Sequence, residues 1–336
     1  MINILFTCAG RRTYLINYFK QALNGDGIVY AGDLSASAPA MVEADRAILF
    51  PSIYSNNYID ELKSAIKKHN INAVISLNDL ELPLISRHKE ELESTGTKVI
   101  ISDERVIDIA YDKLKTHNFI QSIGLNSPLT YNNLDDTKKA LEKKELNFPL
   151  VVKPRWGSAS KGLEFANNME ELELIFKLQK LKLKTTCQNF NLPEKFKELI
   201  IQEKIPGQEF GMDIVNDLNG NYIGTFVRKK LYMRSGETDK AISVIDQKFE
   251  DCGQQISKYL GHVGNLDCDV FLTNNKLYIL ELNPRFGGGY PFSHEAGVNT
   301  SAMYIEWLKG NSDISRFMKY KPNIMYSKCD RLLRIN

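Results

Sequence analysis

The strongest constraint on the fold of this chain is the alternation of short apolar runs with helical segments over residues 1–110. Ile4–Cys8, Ile28–Asp33, Ala47–Pro51, Ala73–Asn78 and Lys98–Ile101 read as strands, and Thr13–Leu23, Tyr58–His69 and Leu82–Ser94 as helices. Strands alternating with helices predict a doubly wound parallel sheet. In such sheets the loops at the carboxyl ends of the strands face the ligand crevice. Here those loops are Cys8-Ala-Gly-Arg-Arg12, Asp33-Leu-Ser35 and Asn78-Asp-Leu-Glu81. The first has a glycine and two arginines ahead of a helix, which suits an anion at a helix N-terminus. It equally suits a tight turn with solvated arginines. It is not GxGxxG, so a nicotinamide cofactor has little support. Asp79 and Glu81 suit an amine or a hydroxyl, or simply the cap of the next helix.

The remaining length leaves room for more than this sheet. At 336 residues the chain holds two or three compact units. Lys and Arg number 43 against 41 Asp and Glu, which argues against a broad nucleic-acid footprint. No run of about 18 apolar residues marks a membrane span. Met1-Ile-Asn-Ile-Leu-Phe lacks a basic leader and reads as a first strand. The five cysteines form no CxxC pair and read as free thiols in a reducing cytoplasm. The five histidines make no zinc pattern.

The chemistry concentrates in Leu277-Tyr-Ile-Leu-Glu-Leu-Asn-Pro-Arg-Phe-Gly-Gly-Gly-Tyr290. Leu277–Leu282 alternates only loosely and reads as a strand buried on both faces. Glu281, Asn283 and Arg285 then project to one face. Two oxygen donors and a guanidinium there are costly unless something binds them. Oxygen ligands suit Mg²⁺ shared with substrate phosphates, and an arginine suits a phosphate beside it. A salt bridge between Glu281 and Arg285 is the plainer alternative. Leu266-Asp-Cys-Asp-Val-Phe-Leu272 is the preceding strand, joined through Asn274-Asn275, so Asp269 is expected opposite Glu281. Asp267 lies one step along on the same side. Three carboxylates so close repel unless a cation is present.

Other pieces gain meaning beside this hairpin. Lys113 alone reads as a surface lysine. Lys153 ends an apolar strand, Pro149–Pro154, that a surface lysine would not need. The loop Arg155–Gly162 contains Gly157, Ser158, Ser160 and Gly162, and its backbone N–H groups suit phosphates, although it lacks P-loop spacing. A helix is expected over Met169–Leu183, and residues 184–198 read as an irregular insertion. The strand Leu199–Ile205 breaks at Pro206-Gly207, with Glu209 beyond. Phe210–Val215 and Tyr222–Leu231 read as an antiparallel pair. Arg228-Lys-Lys230 and Arg234-Ser-Gly-Glu-Thr238 then read either as a solvated hairpin edge or as anion-binding groups. Gln247–Leu260 reads as an amphipathic helix.

Taken in order, Asp112-Lys113, Val151-Val-Lys153-Pro, the loop 155–162, Glu203-Lys-Ile-Pro-Gly-Gln-Glu209, Asp269-Val-Phe and Glu281-Leu-Asn-Pro-Arg285 resemble the ATP-grasp superfamily. The similarity is greatest to single-chain carboxylate–amine ligases like the carbamoyl-phosphate-synthase large subunit. It covers about residues 100–310, and the N-terminal sheet fits the family's preceding domain. The resemblance implies a mixed α/β and α+β chain, with a Rossmann-like pre-ATP-grasp domain at 1–110. A small lobe with a lid loop would follow at 111–198, a metal-binding lobe at 199–310 and a tail at 311–336. It implies that Lys113 and Lys153 contact the α- and β-phosphates, and that Gly157, Ser158, Ser160 and Gly162 belong to the lid. Glu203 and Ile205 would meet adenine through the backbone and Glu209 the ribose. Asp269, Glu281 and Asn283 would ligate Mg²⁺ or Mn²⁺. Arg285, with Lys153 and Arg234, would serve the transferring phosphoryl group or the acyl phosphate.

What the resemblance implies about activity is an ATP- and Mg²⁺-dependent ligase joining a small-molecule acid to an amine through an acyl phosphate. The Phe-Gly-Gly-Gly-Tyr run and the single module depart from carbamoyl-phosphate synthases and argue against carbamoyl phosphate as product. Arg228, Arg234 and His294 are expected to border the acid site, with Arg11, Arg12, Asp79 and Glu81 on its other wall. Those arginines suggest an amino acid or an acidic metabolite. A cytoplasmic homodimer is the expected assembly, the dimer by resemblance alone. A kinase of the same fold, a non-catalytic nucleotide-binding module and a dehydrogenase are the alternatives. A kinase would leave phosphate on its substrate, whereas a ligase releases it.

Overall fold

The computed structural model describes residues 1–157, 161–189 and 193–335. The first sheet contains β1 (Ile4–Thr7), β2 (Val29–Asp33), β3 (Arg46–Leu49), β4 (Ala73–Ser76) and β5 (Lys98–Val99), all parallel, in the order β3-β2-β1-β4-β5. Its alternate residues feed two separate cores. Ile4, Phe6, Ala31 and Ile75 face one, and Leu5, Tyr30, Val74 and Val99 the other. That is how a parallel sheet buries both faces. The helix Thr13–Leu23 covers the first face together with Thr300–Leu308 from far along the chain, where Phe19 meets Tyr304 edge-on. The expected helix Leu82–Ser94 is two helices, Leu82–Arg87 and Lys89–Glu93, broken at His88.

A four-stranded sheet follows, from β6 (Thr130–Tyr131), β7 (Leu150–Pro154), β8 (Glu164–Ala166) and β9 (Leu199–Glu203), in the order β6-β9-β7-β8. It packs on Leu134–Glu142 and Met169–Asn189 through Leu150, Val152, Leu172 and Ile201. The second helix runs to Asn189, six residues into the stretch read as irregular. Residues 190–192 of that stretch lie outside the described residues.

The largest sheet has six strands in the order β14-β13-β10-β11-β12-β15. These are β10 (Gln208–Asn216), β11 (Tyr222–Arg234), β12 (Glu237–Val244), β13 (Asn265–Thr273), β14 (Lys276–Asn283) and β15 (Met325–Ser327). One face of β10 and β13, with Phe210, Met212, Ile214, Leu266, Cys268 and Val270, packs on the helix Gln247–Leu260. Asp246 caps that helix by accepting from Lys248 N at 2.9 Å, and Gly261 ends it in a left-handed turn. The opposite face of the sheet carries the polar residues. The reading of β14 as buried on both faces is corrected: it is an edge strand, and Tyr278, Leu280, Glu281 and Asn283 are only half-buried. Among the described residues, no helix is long and apolar enough to cross a membrane.

Candidate functional site

The hairpin β13–β14 positions the acids by register. Asp269 lies opposite Glu281 and Asp267 opposite Asn283. The pairing then slips, because Val270 is opposite Ile279 and Leu280 is the extra residue. This bulge decides the side on which the chemistry falls. Leu277 and Ile279 point into the core, so unbroken alternation would send Glu281 there too. The bulge reverses the phase, so that Leu282 enters the core and Glu281 and Asn283 turn to the ligand face.

The same face of β11 supplies cations, which meet acids of β10 and β13. Arg228, 1% exposed, lies across Gly211 and donates to Asp213 at 2.6 Å and to Asp267 at 2.5 Å. Lys230 donates at 2.6 Å to both Glu209 and Asp269. Arg285 donates to Asp79 at 2.6 Å and stands 3.8 Å from Asp267. Burial raises the Asp269 carboxyl to about 7; Lys230 opposes this, while Asp267, Glu281 and Glu209 add to it. Burial works against the Asp267 carboxylate too, but Arg228, Arg285 and Lys230 outweigh it and hold the group below the usual range.

The triple glycine after Arg285 is required by close approach. A Cβ on Gly289 would sit 2.1 Å from Arg228 Nε, and one on Gly287 would sit 2.1 Å from the Asp267 carboxyl carbon. Real Cβ atoms do not approach so closely, so the arginine and the aspartate lie against bare backbone.

Opposite this face, Asp112 organises the two lysines. Its carboxylate caps the helix Lys113–Ser122 and takes a bidentate pair from Arg155 at 2.7 and 2.6 Å. Arg155 follows β7, so this clamp ties the start of that helix to the end of the strand bearing Lys153. Lys113 donates to Gly157 O at 2.5 Å. Lys153 is 6% exposed, and burial, then Lys113, pulls its pKa down to about 8. Its ammonium makes no hydrogen bond or ion pair among the described residues.

Two cavities meet at the acids. One, of about 750 Å³, is lined by Lys113, Lys153, Gly157, the stretch Gln202–Gly207 and Glu209. The other, of about 340 Å³, is lined by the Cys8–Arg12 loop, Asp79, Arg228, Lys230 and Arg285. Asp269 and Glu281 border both. The Cys8–Arg12 and Leu77–Asp79 segments follow the neighbouring strands β1 and β4, where the strand order reverses and where open parallel sheets bind ligands.

Several expected residues stand apart. Ser158 and Ser160 lie outside the described residues, while Gly157 and Gly162 flank them with φ of +139° and +73°. Arg234 is 46% exposed on its side chain and pairs with Asp239 and Asp330, outside the smaller cavity. His294 stacks on Tyr18 at 3.5 Å between centroids, and Nδ1 faces the Tyr290 hydroxyl at 3.0 Å. Glu81 is fully buried behind the sheet, accepting from Thr7 at 2.8 Å, Ser76 at 2.5 Å and Tyr58. The sequence offers Arg228-Lys-Lys230 either as a solvated hairpin edge or as anion-binding groups and does not single out Lys230 as the partner of Asp269. The alternation of Arg228 and Lys230 along β11 is the signal for it, since both fall on the face of Asp213 and Asp269.

The donor set fits Mg²⁺ held jointly with phosphates. Asp269 and Glu281 are in register, Asn283 adds an amide oxygen, and Lys230 already neutralises Asp269. Among the described residues no group of three or more His, Cys, Asp or Glu side chains forms a metal cage. One or two carboxylates with phosphates making up the rest is the usual arrangement for this ion.

A family described as an ATP-grasp domain matches residues 110–289, and one described as a PylC-like N-terminal domain matches residues 4–100. The carbamoyl phosphate synthase large chain of Campylobacter jejuni is 26% identical over 247 residues, 70% of this chain and 21% of that protein. The chain thus spans about a fifth of that relative. The D-alanine–D-alanine ligase of Fusobacterium nucleatum is 23% identical over 278 residues, 76% of this chain and 86% of that one. Among solved structures, a biotin carboxylase–β,γ-ATP complex from Campylobacter jejuni has a TM-score of 0.75 at 16% identity, covering 96% of this chain and 74% of the other. An L-amino acid ligase from Bacillus licheniformis has 0.67 at 17%, covering 96% and 78%. These likenesses show a shared fold.

Proposed function

The chain belongs to the ATP-grasp family, and from that membership we propose that it is an ADP-forming ligase joining a small acid to an amine. The observation that carries the reading is the in-register Asp269–Glu281 pair, shared by a nucleotide-sized cavity and a smaller chamber rich in arginine.

In this reading ATP lies in the larger cavity. Its adenine meets the backbone of Glu203–Ile205, its ribose Glu209, and its phosphates Lys113 and Lys153. Mg²⁺ held by Asp269, Glu281 and Asn283 would supply charge neutralisation at the phosphates. The acid binds in the smaller chamber beside Arg285. Its carboxylate oxygen attacks the γ-phosphorus, the bond to the β,γ-bridging oxygen breaks, and ADP leaves with that electron pair. The acyl phosphate then accepts the amine nitrogen at its carbonyl carbon. Phosphate departs with the C–O pair, and the nitrogen gives up its proton. Positioning and electrostatics do most of the work in such transfers. Lys153 and Arg285 hold fixed positive charge where negative charge gathers. An amino acid or a small acidic metabolite is the substrate class the arginines favour.

The test is product analysis with ATP, Mg²⁺, a panel of amino acids and organic acids, and hydroxylamine as a small nucleophile. The proposal expects ADP, free phosphate and a hydroxamate, all lost in Glu281→Ala. Phosphate retained on the acid would point to a kinase instead.

A further inference from the structure

A third cavity, of about 780 Å³, adjoins the small chamber, and the two share Arg11, Arg12 and Glu237. The reaction as described leaves it unused. Its outer wall comes from the segment Tyr326–Ile335, which is pinned at several points. Met325–Ser327 pairs with β12, Lys328 N donates to Asp239 O at 2.8 Å, Arg234 donates to Asp330 at 2.6 Å, and Arg331 reaches Glu43. The inner wall is aromatic, with Tyr14, Tyr18 and Phe292.

The charges are ordered along the cavity. At its neck stands Glu237, held by Arg12 at 3.3 Å and Lys328 at 3.2 Å. Further out, Arg234 and Arg331 line the outer cavity alone; Arg234 pairs with Asp330 at 2.6 Å and Arg331 reaches Glu43. Arg11 is 85% exposed on its side chain, with its nearest carboxylate 4.0 Å away. Exposed pairs of this kind are worth little and exchange readily for a ligand anion. Tyr18 already occupies Glu295 at 2.7 Å. The neck therefore carries one carboxylate beside Arg11 and Arg12, and beyond it lie an aromatic wall and the cations Arg234 and Arg331.

We propose that this cavity holds the body of the amine substrate: a molecule with an amine at one end, an apolar or aromatic middle and an anionic group at the other. The cationic amine passes Glu237 toward the acyl carbon, and the anionic end stays with Arg234 and Arg331. The assignment rests on the ligase reading, which names the smaller chamber as the reacting site.

Cys329 lines the cavity and is exposed, so it reports occupancy. The probes are 4-(aminomethyl)benzoate and its uncharged amide, 4-(aminomethyl)benzamide, added to the full chain with ATP and Mg²⁺. The rate of Cys329 alkylation by iodoacetamide is followed. The benzoate is expected to protect at concentrations about tenfold lower than the amide, a 1.4 kcal/mol preference. Arg331→Glu should erase that preference, and Phe292→Ala should weaken protection by both probes, with melting temperature as the control for folding. Equal protection by the two probes, or none by either, overturns the subsite. Calorimetry with ATP is the separate arm: lost nucleotide binding with protection intact counts against the ligase reading and leaves the subsite standing.

Discussion

Arg285, at the end of β14, donates a 2.6 Å ion pair to Asp79, a residue 206 positions earlier in the loop after β4. The pair ties the parallel sheet to the hairpin β13–β14 at the wall of the smaller cavity. It also fixes the guanidinium proposed to hold the acyl phosphate. Removing one partner of a buried pair leaves an uncompensated charge, which costs about 3 kcal/mol or more. Asp79→Ala should therefore lower the urea midpoint clearly, moderated by Asp267 at 3.8 Å. Arg285→Lys should reduce turnover by about a hundredfold, because a point charge replaces a planar fork, with ATP affinity nearly unchanged. Equal losses in affinity and turnover would place Arg285 in nucleotide binding instead.

Lys153 gives a pH dependence. Its free ammonium is depressed to about 8 by burial and by Lys113, and phosphates raise it on binding. The bound pKa lies above the free one, so affinity for ATP is full below pH about 8 and declines as pH rises past that value. Calorimetry from pH 7 to 10 should record that decline. Lys153→Arg, which stays charged throughout, should flatten it.

The three glycines after Arg285 are not equivalent. Gly287→Ala and Gly289→Ala drive a methyl into Asp267 and Arg228, whereas a Cβ on Gly288 meets only the mobile ends of Glu237 and Arg12 at 3.1 and 3.2 Å. Overpacking of this kind costs about 1–3 kcal/mol. Thermal unfolding should rank Gly288→Ala closest to the parent, and a Gly289→Ala protein as stable as the parent would refute the close approach.

His262 sets an acid limit. It is fully buried, bonded to Ile214 O at 3.1 Å, and burial lowers its pKa to about 4. The unfolded chain, with an ordinary imidazole, binds the extra proton first. Stability therefore falls as pH drops from about 6.5 to 4, by about 3 kcal/mol at the lower end. The difference in urea midpoint between pH 7 and pH 4.5 should be smaller in His262→Gln than in the parent.

Much of the fold was legible from the sequence because periodicity and turn residues both pointed the same way. Thr13–Leu23 and Gln247–Leu260 match the expected helices end to end, and the parallel strands fall where the apolar runs lie. The misses have local causes. β14 hides its bulge at Leu280 because an extra residue looks like imperfect alternation, which invited the reading of a strand buried on both faces. β12 was missed because Arg234-Ser-Gly-Glu-Thr238 is polar; its pairing with β11 turns at Ser235 and Gly236, both at positive φ. At the site, the facing of Asp269 and Glu281 followed from hairpin logic alone. The ion pairs of Lys230, Arg234 and Arg285 did not, since their partners Glu209, Asp330 and Asp79 lie in distant segments.

The central claim is that a triphosphate and its Mg²⁺ rest on Asp269, Glu281 and Asn283. The most direct measurement is ATP affinity by calorimetry with and without Mg²⁺, for the parent and Glu281→Ala. The account predicts that Mg²⁺ tightens ATP binding to the parent by about 2.7 kcal/mol, roughly a hundredfold. In Glu281→Ala that gain should fall to about threefold or less while metal-free binding is unchanged. An undiminished Mg²⁺ gain in the variant would contradict it.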